Sequence, residues 1–321
     1  MKKIRILSTI LVFCILLCSC VVQNQDPISR TAIYFDTVIT IKLYDSQDTS
    51  ILDDCFELCE EFENRISRTI ETSEISMINN SNGQPVTVSE ETIKLLEQGI
   101  HYSELTCGAF DISIAPLSEL WDFKHNPGEI PAENDIAEAL SHVSYNNILI
   151  EGNTVTLSDP NMSIDLGGIA KGYMADQLKS FLIEAGVKSA MIDLGGNILA
   201  VGSKPDGSNF TIGIKKPFDN SKMISTESIS DQSVVTSGCY ERYFEVENTL
   251  YHHILDTTTG YPCNNELYSV TIFSNKSVDG DALSTSCYAL GLEKAITLIE
   301  SLDDIEALFV TSDYEVIDTR K

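Results

Sequence analysis

Basic residues are scarce in this sequence. Lys and Arg together number 21, against 48 Asp and Glu, which gives a formal net charge of −27 at pH 7. An acidic surface of this kind repels nucleic acid and anionic lipid, so neither is an expected partner. Any phosphate-bearing ligand must then be held by local features that overcome the overall field.

A long apolar run is also missing from the start of the chain. The stretch from Ile6 to Leu17 is mostly apolar and follows Lys2, Lys3 and Arg5. It is too short for a membrane span of ~20 residues. A basic start followed by a short apolar stretch is instead typical of a secretory signal.

The residues just before Cys20, Leu-Cys-Ser, resemble the cleavage site of a bacterial lipoprotein. We expect residues 1–19 to be removed as a signal peptide, Cys20 to carry lipid, residues 20–30 to form a tether and residues 31–321 to form one working domain. Two or three acyl chains would hold that domain firmly to the membrane, outside the cytoplasm. An uncleaved amino-terminal anchor is the alternative.

Cysteines with metal-binding spacing are absent from the rest of the chain. Cys55 and Cys59 lie four residues apart in an expected helix, where they are core residues rather than a disulfide. The sequence contains no C-x-x-C pair and no zinc pattern; the remaining cysteines are Cys107, Cys239, Cys263 and Cys287. Their spacing therefore gives no support to a zinc site.

Strands and helices do not alternate regularly, which argues against a doubly wound parallel sheet. Period-two apolar residues in 33–43 predict one strand with a single buried face formed by Ile33, Phe35, Ile39, Ile41 and Leu43. Helices are expected over 49–63, 89–107, 171–185, 279–290 and 293–301, a hairpin over 148–157, and strands over 189–193, 197–201, 210–215, 242–247 and 268–273. We expect an α+β fold, a single domain of mixed, mostly antiparallel sheets with flanking helices.

An aspartate precedes a glycine pair twice, in DLGGIAKG from Asp165 to Gly172 and in DLGG from Asp193 to Gly196. Gly167 and Gly168 precede an expected helix, whose start offers free N–H groups and a positive dipole end, and Lys171 adds a cation there. This combination can hold a phosphate, although a tight turn before a helix is the simpler alternative. A helix follows one segment and a strand follows the other, so the two are not expected to be a structural repeat.

Two adjacent histidines occur in YHHILDTTTGYP, from Tyr251 to Pro262. In a strand, His252 and His253 point to opposite faces, so at most one readily serves a given site. With Asp256 close behind, one interpretation is a general base near a carboxylate. The alternative is one surface histidine and one core histidine.

Hard oxygen donors occur at helical spacing in VDGDALSTSCYALG. If this stretch is a helix, Asp281, Ser284 and Thr285 share one face. A carboxylate and two hydroxyls suit Mg²⁺ or Ca²⁺ and are poor ligands for zinc. A single carboxylate gives a metal ion few protein ligands, which favours a phosphorylated substrate that supplies the others. The alternative is a capped helix with Asp279 or Asp281 near its start.

Together these segments resemble the FAD:protein FMN transferase family, the ApbE-like lipoproteins. The resemblance covers nearly all of the chain after the leader, and eight motifs in the family's order make it specific. These motifs are FDT at Phe35–Thr37, SEISMIN at Ser73–Asn79, GAFDISIAPLSELWDF at Gly108–Phe123, IDLGGIAKGYMAD at Ile164–Asp176, MIDLGGN at Met191–Asn197, VVTSGCYERYF at Val234–Phe244, HHILDTTTGYP at His252–Pro262 and DALST at Asp281–Thr285.

The resemblance implies an enzyme that splits the pyrophosphate of FAD, attaches FMN to a Thr or Ser hydroxyl of a partner protein and releases AMP, with Mg²⁺ at its site. It implies that the catalytic residues are His253, as the base, and Asp281. The implied metal ligands are Asp281, Ser284, Thr285 and the Ala170 carbonyl. The implied FAD contacts are Ala109, Phe110, Asp111, Gly167, Lys171, Tyr173 and Leu255, with Phe35 and Thr69 as looser correspondences.

The chain departs from the family at Phe35 and Asp36, where methionine and glycine are frequent, at Cys239, which is often aspartate, and at Thr257, which is often proline. It contains no Asp-Gly-x-Ser/Thr-Gly-Ala-Thr segment, the acceptor pattern associated with the family. Expected acceptors are therefore other proteins, namely extracytoplasmic parts of membrane redox complexes or secreted flavoproteins that bear such a segment. An FAD pyrophosphatase and a non-catalytic flavin-binding lipoprotein are the alternatives.

Overall fold

The structure is a computed structural model that describes residues 26–125 and 128–320. The expected signal peptide, Cys20 and the first part of the expected tether lie outside these residues. Within the described part of the chain, no helix is both long enough and apolar enough to cross a membrane.

Fifteen strands and eight α-helices make up the described residues. The strands are β1 (Ile28–Tyr34), β2 (Thr37–Leu43), β3 (Val86–Thr87), β4 (Ile148–Glu151), β5 (Thr154–Leu157), β6 (Ala190–Leu194), β7 (Asn197–Val201), β8 (Phe210–Lys216), β9 (Asp219–Ile229), β10 (Ser233–Gly238), β11 (Tyr243–Val246), β12 (Thr249–His252), β13 (Leu267–Ser274), β14 (Glu306–Thr311) and β15 (Val316–Asp318). The helices are α1 (Thr49–Ile66), α2 (Glu74–Asn79), α3 (Glu90–Leu105), α4 (Ala115–Trp121), α5 (Glu133–Ser141), α6 (Ala170–Glu184), α7 (Ser277–Leu290) and α8 (Leu292–Glu300).

The central element is an eight-stranded sheet in the order β1-β2-β6-β7-β10-β13-β14-β15. Every pairing between neighbouring strands of this sheet is antiparallel. Smaller sheets are formed by β3-β5-β4, β8-β9 and β11-β12. The expected α+β class, with mostly antiparallel sheets and flanking helices, is confirmed.

Three apolar clusters bury the faces of these elements. The largest joins one face of the sheet to α1, α6 and α7, and includes Ile41, Phe56, Leu178, Ile192 and Leu283. The β8–β9 hairpin covers the other face, where its residues Phe210, Ile214 and Ile229 pack with Val234 and Phe273 of the sheet. A third cluster links α4 and α5 to the β11–β12 hairpin around Trp121, whose Nε1 donates a hydrogen bond to the Gly260 carbonyl at 2.8 Å.

The expected helices are present because their ends carry clear signals. Ser89 accepts a hydrogen bond from Thr92 N at 3.3 Å at the start of α3, as expected of an N-cap. Gly186, with φ 86°, follows the end of α6. Cys55 and Cys59 are fully buried in α1 and, like the other four cysteines of the described residues, form no disulfide.

The single strand expected over 33–43 is wrong. Phe35 and Asp36 both have positive φ, 53° and 59°, and they form the turn of a hairpin between β1 and β2. The turn reverses the chain, so Ile33 is 75% exposed while Ile39 and Ile41 are fully buried. Glycine, frequent in the family where Asp36 stands, adopts this backbone conformation more easily. The strands β3, β9 and β10 were also not expected from the sequence.

Candidate active site

The site forms where α6 and α7 approach each other most closely, at Gly172. A Cβ on Gly172 would lie 2.3 Å from the Ser277 carbonyl oxygen and 2.7 Å from the Asp281 Cβ. Only a glycine permits this contact without a shift of backbone. The approach lets Gly172 N donate a hydrogen bond to Asp281 Oδ2 at 2.8 Å. It therefore brings the start of α6 against the carboxylate of α7.

Lys171, in the first turn of α6, lies at this junction. Its Nζ is 3.0 Å from the Gly167 carbonyl oxygen and 3.5 Å from Asp281 Oδ1. Ala170 is the first residue of α6, which begins without a side-chain cap. An uncapped helix start next to a lysine favours binding of an anion. The structure thus brings together four of the residues implied by the family resemblance.

The glycine turn before α6 is held by Asp165. Its Oδ1 accepts a hydrogen bond from Gly167 N at 2.8 Å, and its Oδ2 accepts one from Arg68 Nε at 3.0 Å. A Cβ on Gly168 would lie 2.8 Å from Cε2 of Phe110, so the Phe110 ring packs directly on this glycine. Arg68 was not identified from the sequence, because no motif singled it out.

The second DLGG segment forms a different element with a similar local bond. Asp193 Oδ1 accepts a hydrogen bond from Gly196 N at 2.9 Å, in the turn between β6 and β7. Gly195 and Gly196 have φ values of 68° and 95°, which suit a tight hairpin turn. The expectation that the two segments are not a structural repeat is confirmed. What they share is an aspartate that ties the following turn.

Three hydroxyls lie together one turn after Asp281. Ser237 Oγ, at the end of β10, is 2.8 Å from Ser284 Oγ and 3.1 Å from Thr285 Oγ1. Ser284 Oγ also donates to the Asp281 carbonyl oxygen at 3.0 Å. Ser284 and Thr285 therefore lie on one face of α7, as their spacing predicts. Ser237 was not singled out, although it belongs to the VVTSGCYERYF motif.

The donor set at this junction fits a hard divalent cation. A carboxylate and hydroxyls are oxygen ligands of the kind that Mg²⁺ prefers. Among the described residues, no group of three or more His, Cys, Asp or Glu could hold a metal ion. A single carboxylate with hydroxyls leaves a coordination sphere incomplete, as expected where water and substrate phosphates supply the other ligands.

The start of α7 is fixed by residues from two other elements. Asp176, on α6, accepts hydrogen bonds from Ser277 N at 2.8 Å and Val278 N at 2.9 Å. Burial raises the pKa of Asp176 to about 6. Asn197 Oδ1, on β7, accepts a hydrogen bond from Ser277 Oγ at 2.6 Å. Asp176 therefore accepts the hydrogen bonds of the first N–H groups of α7. The carboxylate of Asp281, one turn further along α7, accepts the hydrogen bond from Gly172 N instead.

His252 is a core residue at the end of β12. It is 3% exposed, its Nε2 lies 2.9 Å from the Cys263 carbonyl oxygen, and its Nδ1 accepts a hydrogen bond from Ile254 N at 3.3 Å. Burial lowers its pKa to about 4. The side chain is thus neutral at pH 7 and both ring nitrogens are engaged within the protein.

His253 follows the end of β12 and faces the cationic side of the site. Its backbone N donates to the Arg242 carbonyl at 3.1 Å, while its buried Nδ1 has no hydrogen-bond partner within the described structure. Burial, followed by the nearby Arg242, His252 and Lys171, lowers its pKa to about 3. The imidazole is therefore neutral at pH 7 and retains an unused acceptor.

The remaining residues implied as FAD contacts lie in four places. The Asp111 carboxylate, close to Ala109 in the chain, accepts hydrogen bonds from Ser113 N at 2.8 Å and from the more distant Tyr145 N at 2.9 Å. Phe35 and Tyr173 both pack on Phe62, with ring centroids 5.9 Å and 5.7 Å away. Thr69 is exposed and bonded to Ser67 Oγ at 3.0 Å, and Leu255 pairs with Pro262 in a short bridge.

Known proteins share this arrangement of sequence and fold. The model of the ApbE family matches residues 35–309. The FAD:protein FMN transferase of Klebsiella pneumoniae is 38% identical over 90% of this chain and 90% of its own length. The protein of the same name from Treponema pallidum is 32% identical over 90% of this chain and 85% of its own.

Solved structures agree with the sequence comparison. The crystal structure of the ApbE protein from Thermotoga maritima superposes with a TM-score of 0.85 and 30% identity, covering 92% of this chain and 97% of its own. The flavin transferase ApbE from Vibrio cholerae gives a TM-score of 0.81 and 28% identity, covering 91% of this chain and 96% of its own.

Proposed function

This chain belongs to the ApbE family, and from that membership and the geometry of its site we propose that it transfers the FMN moiety of FAD to a hydroxyl of an acceptor protein and releases AMP. The observation that carries the proposal is the meeting of Lys171, Asp281 and the Ser284–Thr285 hydroxyls at the close approach of α6 and α7. Each of these groups has a part in phosphoryl transfer.

The pyrophosphate of FAD is assigned to the start of α6. Lys171 supplies a cation there, and the start of α6, which lacks a side-chain cap, supplies a positive dipole end. These local features offset the repulsion that a chain of net charge −27 would exert on an anionic substrate. The Phe110 ring, packed on Gly168, closes one wall of this region.

Mg²⁺ is assigned to Asp281, Ser284, Thr285 and the Ala170 carbonyl. When bound, the ion would neutralise charge that develops on the phosphoryl oxygens. The role of the chain is to hold the donors in place. Gly172 N fixes one oxygen of Asp281, and Ser237 fixes both hydroxyls. Removal of divalent ions with a chelator is expected to abolish transfer, and added Mg²⁺ to restore it.

His253 is assigned as the base that takes the proton of the acceptor hydroxyl. The hydroxyl oxygen forms a bond to the phosphorus on the FMN side, the bond from that phosphorus to the bridging oxygen breaks, and AMP leaves with the bridging oxygen. A neutral imidazole with an unpartnered, buried Nδ1 has the protonation state and the free acceptor that this step requires. Burial and nearby cations lower the pKa of His253, and the anionic pyrophosphate would act in the opposite direction and favour the protonated ring once the proton is taken.

The acceptor is proposed to be a protein that carries an Asp-Gly-x-Ser/Thr-Gly-Ala-Thr-like segment outside the cytoplasm, on a membrane redox complex or a secreted flavoprotein. Cys20 is proposed to bear the lipid that holds this enzyme at the same membrane surface. A covalent link suits that location, because a flavin lost outside the cell is not recovered.

The direct test is to mix the protein lacking residues 1–19 with FAD, Mg²⁺ and such an acceptor, and to look for fluorescent flavin on the acceptor in a denaturing gel. A fluorescent acceptor band that disappears with chelator supports the proposal. Free FMN and AMP with an unlabelled acceptor would instead assign water as the acceptor and make the protein an FAD pyrophosphatase. FAD that binds and stays intact would make it a flavin-binding protein.

A further inference from the structure

Five aromatic residues form an exposed patch at the turn between β8 and β9. The Phe218 ring lies at the centre, with ring centroids of Tyr240, Tyr243 and Tyr268 at 5.8, 5.4 and 5.1 Å. Tyr314 extends the patch, 5.1 Å from Tyr268. We call these five residues the aromatic platform. Phe218, Tyr243 and Tyr314 are 41%, 43% and 38% exposed, so the platform is an open surface.

The backbone presents Phe218 in a costly conformation. Its φ is 59°, a left-handed value that is uncommon for a bulky residue. The turn is braced from outside, because the Tyr314 hydroxyl donates to the Pro217 carbonyl at 3.3 Å. Burial within the protein does not account for an apolar ring that a strained turn holds at the surface. Contact with a binding partner would account for it.

The aromatic platform borders the proposed active site. Tyr243 lies directly opposite His252 in the β11–β12 pairing, and the Arg242 carbonyl accepts the hydrogen bond from His253 N. On the other side, a Cβ on Gly238 would lie 2.5 Å from Cε1 of Tyr240, so that ring packs next to Ser237. The same loop thus joins the platform to the proposed base and to the hydroxyl cluster.

One edge of the aromatic platform carries basic residues, whereas Asp313 and Glu315 flank Tyr314 at another edge. Residues 215–222, KKPFDNSK, contain three lysines and one aspartate, in a chain of net charge −27. Lys216 Nζ lies 4.5 Å from the centre of the Tyr314 ring, and Lys215 is exposed. An acidic partner, repelled by most of this surface, would be attracted here.

We propose that the aromatic platform is the docking surface for the acceptor protein, with an apolar side chain of the acceptor seated on Phe218 and Tyr243, acidic side chains facing Lys215 and Lys216, and the reacting hydroxyl presented to His253. The inference rests on the proposed function for the identity of the partner. An open patch of tyrosine and phenylalanine is typical of protein interfaces, whereas small ligands are mostly enclosed by their pockets.

Phe218→Asn tests this assignment, because asparagine tolerates the left-handed backbone and removes only the ring. The probe is a purified acceptor protein with the Asp-Gly-x-Ser/Thr-Gly-Ala-Thr segment. Its Kd is measured by calorimetry, and its KM from the rate of flavin attachment. Both are expected to rise by ~10-fold or more, as for loss of an interface anchor. The kcat at saturating acceptor and the FAD affinity, from quenching of flavin fluorescence, are expected to stay unchanged.

Leu149→Asn is the matched control, because Leu149 is 49% exposed on β4, outside the site and the platform. It should leave every constant unchanged. Lys215→Glu should weaken acceptor binding at low salt and less so at high salt, since salt screens exposed charges.

An unchanged Kd and KM in Phe218→Asn would overturn the proposal. A loss of FAD affinity in that variant would also overturn it and assign the platform to FAD. If the wild type binds the acceptor but attaches no flavin, the proposed function fails while the binding measurement still decides the platform. If the wild type does not bind the acceptor at all, the docking proposal fails.

Discussion

The Asp281 carboxylate contacts two groups at once. Its Oδ2 accepts the Gly172 N–H at 2.8 Å, and its Oδ1 faces Lys171 Nζ at 3.5 Å. Asp281→Asn keeps an oxygen acceptor for Gly172 and removes the charge. We expect transfer to slow by ~10²–10³-fold, the usual effect of losing an electrostatic group at a reaction centre. The thermal unfolding midpoint of Asp281→Asn should change little. As a control, Asp303→Asn, at an exposed position, should change neither the transfer rate nor the midpoint. Wild-type activity of Asp281→Asn would contradict the assignment of Asp281.

The two histidines are expected to respond differently to alanine. His253→Ala should slow transfer by ~10²–10⁴-fold, the typical contribution of a general base, while FAD affinity and thermal stability are kept. His252→Ala leaves the Cys263 carbonyl and Ile254 N without their partner, and each buried unpaired group costs about 1–3 kcal/mol. His252→Ala should lower the unfolding temperature. At temperatures below its unfolding midpoint, its transfer rate should stay close to that of the wild type. The reverse pattern, measured by calorimetry and flavin attachment, would contradict the choice of base.

Ser237 is expected to act as a positioning residue for the proposed metal ligands. Its hydroxyl contacts both Ser284 and Thr285, and loss of such a supporting bond typically weakens metal affinity ~10–100-fold. Ser237→Ala should therefore raise the Mg²⁺ concentration needed for half-maximal activity and leave kcat at saturating Mg²⁺ largely unchanged. A purely structural role would instead lower the unfolding midpoint at every Mg²⁺ concentration without altering the Mg²⁺ requirement.

Residues whose partners lie close in sequence were the predictable part of the site. Asp281, Ser284 and Thr285 stand within one helical turn, so their shared face followed from spacing. Arg68 contacts Asp165 across 97 residues, and Asp176 contacts Ser277 across 101. No local period encodes such contacts, because they depend on how the sheet brings distant segments together. The outcome for the paired histidines needed the fold as well, since both ring nitrogens of His252 have partners within the protein whereas Nδ1 of His253 has none in the described structure.

The α6–α7 pair is the element on which the site depends. A methyl group at position 172 would lie 2.3 Å from a backbone oxygen, so Gly172→Ala must separate the helices. We expect a loss of about 1–3 kcal/mol in unfolding free energy, as for overpacking elsewhere, and a larger proportional loss of transfer activity. Gln177→Ala, at an exposed position of the same helix, should change neither. Full activity in Gly172→Ala would mean that the close approach is not needed.

Elements whose ends carry local signals were easier to predict than the others, and the helices α2, α4 and α5 were missed together with the strands β3, β9 and β10. The end of α6 follows from Gly186 and the start of α3 from Ser89, both of which act through local backbone geometry. The strand β9 reads DNSKMISTESI and lacks a clear apolar period, because its partner β8 and the sheet below determine its place. The β1–β2 turn was missed because Phe35 is not a typical turn residue.

At the scale of the whole molecule, the lipid that we propose on Cys20 would determine where the protein works. Cys20→Ala is expected to release the protein from the membrane without changing its activity in solution, because the site is built entirely from residues beyond 34. Fractionation of wild type and mutant, with flavin attachment assayed on both, measures this. A mutant that stays bound would indicate an uncleaved anchor, and one that is soluble and inactive would place the tether in the site.

We propose that this molecule moves FMN from FAD to a protein hydroxyl. The most direct test incubates it with FAD, Mg²⁺ and an acceptor, then determines covalent flavin by mass spectrometry and AMP by chromatography in the same sample. We predict one AMP for each flavin attached, attachment at the Ser or Thr hydroxyl of the acceptor segment, and none when that residue is alanine. AMP released with flavin left free in solution, at the same rate with either acceptor, would contradict transfer to the protein.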